Sequence, residues 1–109
     1  MAYDEALAQR VRDALSAQPG VSERKMFGGI AFMVRGNMCC GVVKHELMVR
    51  VGPDQYDKLL GRPGARPMDF TGRPMKGMLY VDAKTCAKGR SLAAWVARGA
   101  DFASSLPAK

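Results

Sequence analysis

No stretch of this 109-residue sequence approaches the roughly 18 uninterrupted apolar residues that a membrane-spanning helix needs. The opening run MAYDEALAQRVRDAL carries acids early and has no apolar core, so it does not read as a secretion signal. The expectation is a cytoplasmic protein without membrane contact. Histidine occurs once, at His45, in a predicted turn between Lys44 and Glu46. A nucleophile needs a base within reach, and a solvated histidine in a charged turn is a poor one. Cysteine is scarce: 3 residues, Cys39, Cys40 and Cys86. An odd count with two neighbours makes a poor disulfide framework. The pair lacks C-x-x-C spacing. Neighbours on a regular strand point to opposite faces, so Cys39 and Cys40 are not expected to hold one ion together. They read as small apolar fillers in a reducing compartment, with a redox-sensing pair as the alternative. No catalytic set, metal or cofactor is expected. The acids Asp4, Glu5, Asp54 and Asp82 stand at helix starts and turns, where capping and solvation account for them.

What is present is ordinary globular material. Hydrophobic residues make up 48% and charged residues 25%, enough for one modest core. The expectation is one domain over residues 1–109, with no repeat or linker. Tyr3, Leu7, Val11 and Leu15, with Ala6 and Ala14, recur at helical spacing, and the run QPG ends that helix. The segment from Arg24 to Val51 reads as an antiparallel meander, because its connections are too short for parallel crossovers. RKMF is its first short strand. IAFMVR follows, then a hairpin at Gly36–Asn37, then MCCGVVK, a turn at His45–Glu46, and LMVRV. GPDQYDKLL is a short helix with Pro53 at its start, GRPGARP a loop, and PMDFT and MKGMLYV two further strands around a turn near Gly72. The last helix carries Leu92, Trp95, Val96, Gly99, Phe102, Ala103 and Leu106 on one stripe, and Pro107 stops it. Glycine on that stripe predicts close backbone contact with the sheet, since it otherwise costs about 1 kcal/mol of helix propensity. The fold class is therefore α+β. About five to six antiparallel strands carry packed N- and C-terminal helices and one short helix between.

Lysine and arginine outnumber aspartate and glutamate by 17 to 10, a formal charge of +7. Polyanion attraction follows from such a surplus, but a defined site does not. Arg62, Arg66, Arg73, Lys76, Lys84, Lys88 and Arg90 are opposed locally only by Asp69 and Asp82, and Arg24 and Lys25 could join them. Aromatic interleaving is thin, with Phe70 and Tyr80 alone, which argues against a stacking platform for single strands. Met33, Met38, Met48, Met68, Met75 and Met78 lie in or beside strands, where core filling is the first reading and an adaptable binding surface the second. A homodimer through a second apolar sheet face stays open.

RKMFGG, Arg24 to Gly29, invites comparison with a phosphate-cradling loop. Such a loop leads into a helix and carries Lys-Ser or Lys-Thr. Here a strand pattern follows, so Gly28 and Gly29 read as a bend or bulge within a sheet. Phe27 is expected to anchor the sheet to the core, with Met26 and Arg24 on its other face.

RKMFGGIAFMVRGNMCCGVV, LMVRV, MKGMLYV and LAAWVARG together resemble the N-terminal domain of the TfoX/Sxy family. Arg24, Met26, Phe27, Gly28, Gly29, Lys76, Gly77 and Trp95 carry the resemblance in order across nearly the whole sequence. The family includes regulators of natural competence that act with a cyclic-AMP-dependent transcription activator, and it has no established enzyme activity. The resemblance therefore implies an α+β domain that works by binding a protein. The end at Lys109 predicts a stand-alone domain, without the second domain of the full-length regulators. Arg24, Lys25, Arg73 and Lys76 are the candidate partner-binding residues. Met26, Phe27, Gly28, Gly29, Gly77 and Trp95 form the structural motif. Direct nucleic-acid binding and a small enzyme with an unrecognised site are the competing readings.

Overall fold

A computed structural model of the protein describes residues 3–26, 28–67 and 77–107. Alternating apolar residues build its sheet. Strands β1 (Val21–Met26), β2 (Gly29–Val34), β3 (Asn37–Val43) and β4 (Glu46–Arg50) form the meander, each antiparallel to the next. The chain then passes through helix α2 (Pro53–Leu60) to β5 (Ala65–Pro67) and β6 (Met78–Val81). The described sheet has the order β1-β2-β3-β4-β6-β5. Helix α1 (Glu5–Ala14) precedes it, and α3 (Ala83–Cys86) and α4 (Gly89–Ser105) close the described chain. This is the expected α+β architecture.

Several boundaries differ from expectation for identifiable reasons. Tyr3 is not helical; it bridges Lys44, and Asp4 caps α1 through Leu7 N–H at 3.0 Å. Ala8 replaces Ala6 and Ala14 on the buried side of α1. The β2–β3 hairpin turns at Arg35–Gly36, one residue early, and both adopt positive φ (52° and 83°), the conformation that matches hairpin twist. Within the run read as a loop, Ala65–Pro67 pair with β6 as an edge strand, the one sheet position that tolerates proline. The proposed turn near Gly72 lies outside the described residues. Helix α3 was not anticipated; Asp82 caps it through Thr85 N–H at 2.8 Å.

The main core lies between one sheet face and the helices. Leu7 and Val11 of α1, Phe32, Val42, Leu47, Val49 and Leu79 of the sheet, and Leu92, Trp95 and Val96 of α4 meet there. Burying each large aliphatic side chain contributes about 1.5–3 kcal/mol. Gly99 makes the predicted close contact: a Cβ there would stand 2.5 Å from the Cys39 carbonyl oxygen. On the other face Met48, Met78 and Tyr80 form a small second cluster, with Met38 and Val43 half-buried beside it. Met38, Met48 and Met78 thus pack as fillers in this cluster. Met68 and Met75 lie outside the described residues.

One irregularity overturns an expectation. The β2–β3 register shifts between Phe32 and Met33, so that Phe32 faces Cys40 while Met33 faces Met38. Cys39 is the extra residue of a β-bulge. The bulge turns Cys39 and Cys40 to the same face, both fully buried, with their sulfurs 3.7 Å apart. Opposite-face geometry holds only for a regular ladder.

Candidate functional site

The RKMFGG expectations divide. Gly28 turns at φ +74° with open space around it, whereas a Cβ on Gly29 would stand 2.1 Å from the Val42 carbonyl oxygen. The first glycine supplies a left-handed bend and the second a close approach, as a backbone device requires. Phe27 lies outside the described residues. Gly77 accepts hydrogen bonds at its carbonyl from Val51 N–H (2.8 Å) and Gly52 N–H (3.2 Å), tying the start of β6 to the end of β4.

The candidate cations separate. Arg24 and Lys25 are exposed on β1, at one edge of the sheet. Arg73 and Lys76 lie outside the described residues. Arg66 leaves the basic group, because Glu46 accepts a hydrogen bond from its Nη2 at 2.5 Å and Tyr80 lies beneath its guanidinium at 4.5 Å. Arg62, Lys84, Lys88 and Arg90 do converge. They line one cleft of about 570 Å³ at the opposite edge of the sheet from β1, between the loop after α2, helix α3 and the first turns of α4. Arg98 joins them from α4. Sequence reading missed it, although it stands three residues after Trp95 on the same helix and so falls beside it.

The electrostatics of this cleft are unusual. Among the described residues no ion pair joins Arg62, Lys84, Lys88, Arg90 or Arg98 to a carboxylate. Burial first, and then the neighbouring Arg62, hold the Arg98 guanidinium below its ordinary value. Its carbon sits 4.6 Å above the ring of Trp95, which is buried beneath it. Lys88 occupies the N-cap of α4 without a capping side chain, and no acid stands in that first turn. Cations there oppose the helix dipole. Among the described residues the single lining acid is Asp82, and it is committed to capping α3: hydrogen bonds from the Thr85 hydroxyl and amide lower its carboxyl below 3.8.

Elsewhere the chemistry is quiet. His45 is exposed on its turn, its Nδ1 3.3 Å from Asp4. Hydrogen bonds from Leu7 N–H and then His45 lower the Asp4 carboxyl. The hydrogen bond with Cys39, then burial, push the Cys40 thiol well up, and burial pushes Cys86 to about 11. Protonated, buried thiols are weak nucleophiles. Among the described residues no group of three His, Cys, Asp or Glu side chains is placed to hold a metal ion, and no helix is long and apolar enough to cross a membrane.

A family model described as the TfoX N-terminal domain matches residues 13–103. No curated protein matches the chain. No solved structure matches it either.

Proposed function

The chain belongs to the TfoX N-terminal domain family, and from that premise we propose a non-enzymatic regulatory module that binds an acidic protein partner through the basic cleft. One observation carries the reading: cations from three separate elements line a single concavity, and among the described residues no carboxylate is paired to them. Separated like charges on a surface need no explanation, but converged ones cost folding energy. The hydroxyl and carboxylate that do meet there, Thr85 and Asp82, serve a helix cap. Electrostatic attraction without an activated nucleophile or base suits recognition better than turnover. The resemblance to competence regulators supports control of transcription as the process and the cytoplasm as the place.

Arg62→Glu with Lys88→Glu tests the reading. Partner capture from source-cell lysate by the native domain is expected to weaken with salt and to vanish in the double variant. Capture unchanged by the reversal places the binding face elsewhere. The same charge favours a second reading, direct contact with nucleic acid, which predicts a mobility shift that falls steeply with salt. No shift at low salt removes it.

A further inference from the structure

We propose that the basic cleft is a binding site for a compact small molecule carrying two or more phosphate groups. This rests on the reading of the cleft as the binding face and names a second class of occupant for it. The volume, about 570 Å³, lies in the range of small-molecule sites. The lining supplies donors suited to phosphate oxygens: guanidiniums from Arg62, Arg90 and Arg98 and ammonium groups from Lys84 and Lys88. Arg98 is already ordered by its stack on Trp95, so less freedom is lost when it grips an anion. The first turn of α4 adds backbone N–H groups, since its earliest intrahelical bond runs from Leu92 N–H to Lys88 C=O.

The pattern of charge argues for a compact ligand over a strand. A second cleft of about 410 Å³ continues from the first and shares Arg62 and Arg98. It carries Lys58 together with Asp101, so among the described residues the positive charge is sparser there. Arg24 and Lys25 stand at the other edge of the sheet and do not extend it. A linear polyanion needs a continuous track. A ligand with clustered phosphates needs what is found, cations facing inward around one hollow. Bound phosphate would also relieve two unfavourable arrangements at once: the Arg62–Arg98 repulsion and the cations at the positive end of α4.

The test is calorimetric titration and thermal melting of the full chain with inorganic tripolyphosphate, ATP, and sodium sulfate at matched ionic strength. Tripolyphosphate and ATP are expected to bind with dissociation constants below about 1 mM and to raise the melting temperature by a few degrees. Sulfate is expected to do neither. Arg62→Gln and Lys88→Gln should each weaken binding about tenfold, as losing a charge-assisted contact does. Ligand-free Arg62→Gln should melt at or above the native temperature, because a repulsion is removed; a merely structural arginine would lower it. The inference is overturned by equal stabilisation from sulfate, by no heat and no shift with tripolyphosphate, or by unchanged affinity in the variants. An oligonucleotide that binds the cleft while tripolyphosphate does not also overturns it, yet leaves the cleft as a binding face. Tripolyphosphate binding in the cleft, with partner capture unaffected by charge reversal, supports this inference and removes the protein-partner reading instead.

Discussion

The protein carries cations at both edges of its sheet, and the two edges treat them differently. On the β1 side Arg12 meets Glu23 at 2.6 Å on an exposed surface, and Arg24 and Lys25 project from a strand into solvent. On the β5–β6 side the cations line one shared cleft, Arg62, Lys84, Lys88 and Arg90 exposed and Arg98 half-buried, and among the described residues no carboxylate is paired to them. Net charge is blind to this difference. A paired cation is already neutralised, whereas converged, unpaired cations raise the local positive potential and so favour an anion that binds among them. Convergence, not basicity, separates a site from a surface.

The sharpest way to break the comparison is to disturb the helix that walls the cleft. Gly99→Val brings a side chain within 2.5 Å of the Cys39 carbonyl, and β3 lies inside the sheet with strands on both sides. The expected loss is about 3 kcal/mol, the upper part of the usual overpacking range, read by denaturant unfolding. Gly28→Ala, on the β1 side, meets no atom and bears only its left-handed φ of +74°. About 1 kcal/mol is expected there. Equal losses at the two glycines would show that α4 docks less tightly than the Cβ geometry requires.

Next in size is a charge exchange that holds net charge constant between variants. Arg62→Glu with Lys88→Glu removes the same charge as Arg24→Glu with Lys25→Glu. Toward tripolyphosphate the cleft pair should lose at least about tenfold in affinity, roughly 1.4 kcal/mol, and the edge pair far less. Equal loss from both would return the protein to a diffuse basic surface.

These contrasts also mark how far the sequence could be read. The meander, α2 and the α4 stripe were legible because periodicity and glycine-proline punctuation are local signals. Gly99 was legible as well, since a glycine that weakens a helix needs a packing reason. The Cys39–Cys40 geometry was not: a bulge depends on how two strands pair, and no local pattern announces it. The cleft was half legible. Arg62, Lys84, Lys88 and Arg90 stood out as a basic run, but Arg24 and Lys25 were grouped with them until strand order put them at the far edge. Arg98 escaped because it reads as the polar side of a helix until the loop at Arg62 folds against it.

Smaller still is the contribution of the one acid at the cleft. Asp82 is held below its ordinary value of 3.8 by Thr85, so its cap is fully effective above about pH 4 and is lost as pH falls through the depressed folded value. Asp82→Ala should cost about 1 kcal/mol at neutral pH, seen as a lower denaturation midpoint, and the penalty should shrink below pH 4. Because the variant also removes the cleft's lining carboxylate, tripolyphosphate affinity should rise even as stability falls. A parallel drop in both would mean that the cleft's shape, rather than its charge, governs binding.

The smallest effect belongs to the paired edge. Glu23 lies below its ordinary 4.5, chiefly through its hydrogen bond with Arg12, so the pair stabilises the fold above that value and fades as pH drops through the lowered one. With the Arg12 and Glu23 side chains 40% and 35% exposed, water and salt screen most of the attraction. Glu23→Gln should therefore cost no more than about 0.5 kcal/mol at pH 7, and the cost should vanish in 1 M salt and shrink as pH falls below 4.5. It also frees Arg12, making one more unpaired cation at that edge. If convergence is what matters, tripolyphosphate affinity should scarcely change, since the freed Arg12 lines a small hollow with Glu5 and Gln9 and, among the described residues, with no second cation. A gain in affinity comparable to the loss from the cleft pair would show that pairing alone, without convergence of several cations, decides where anions bind.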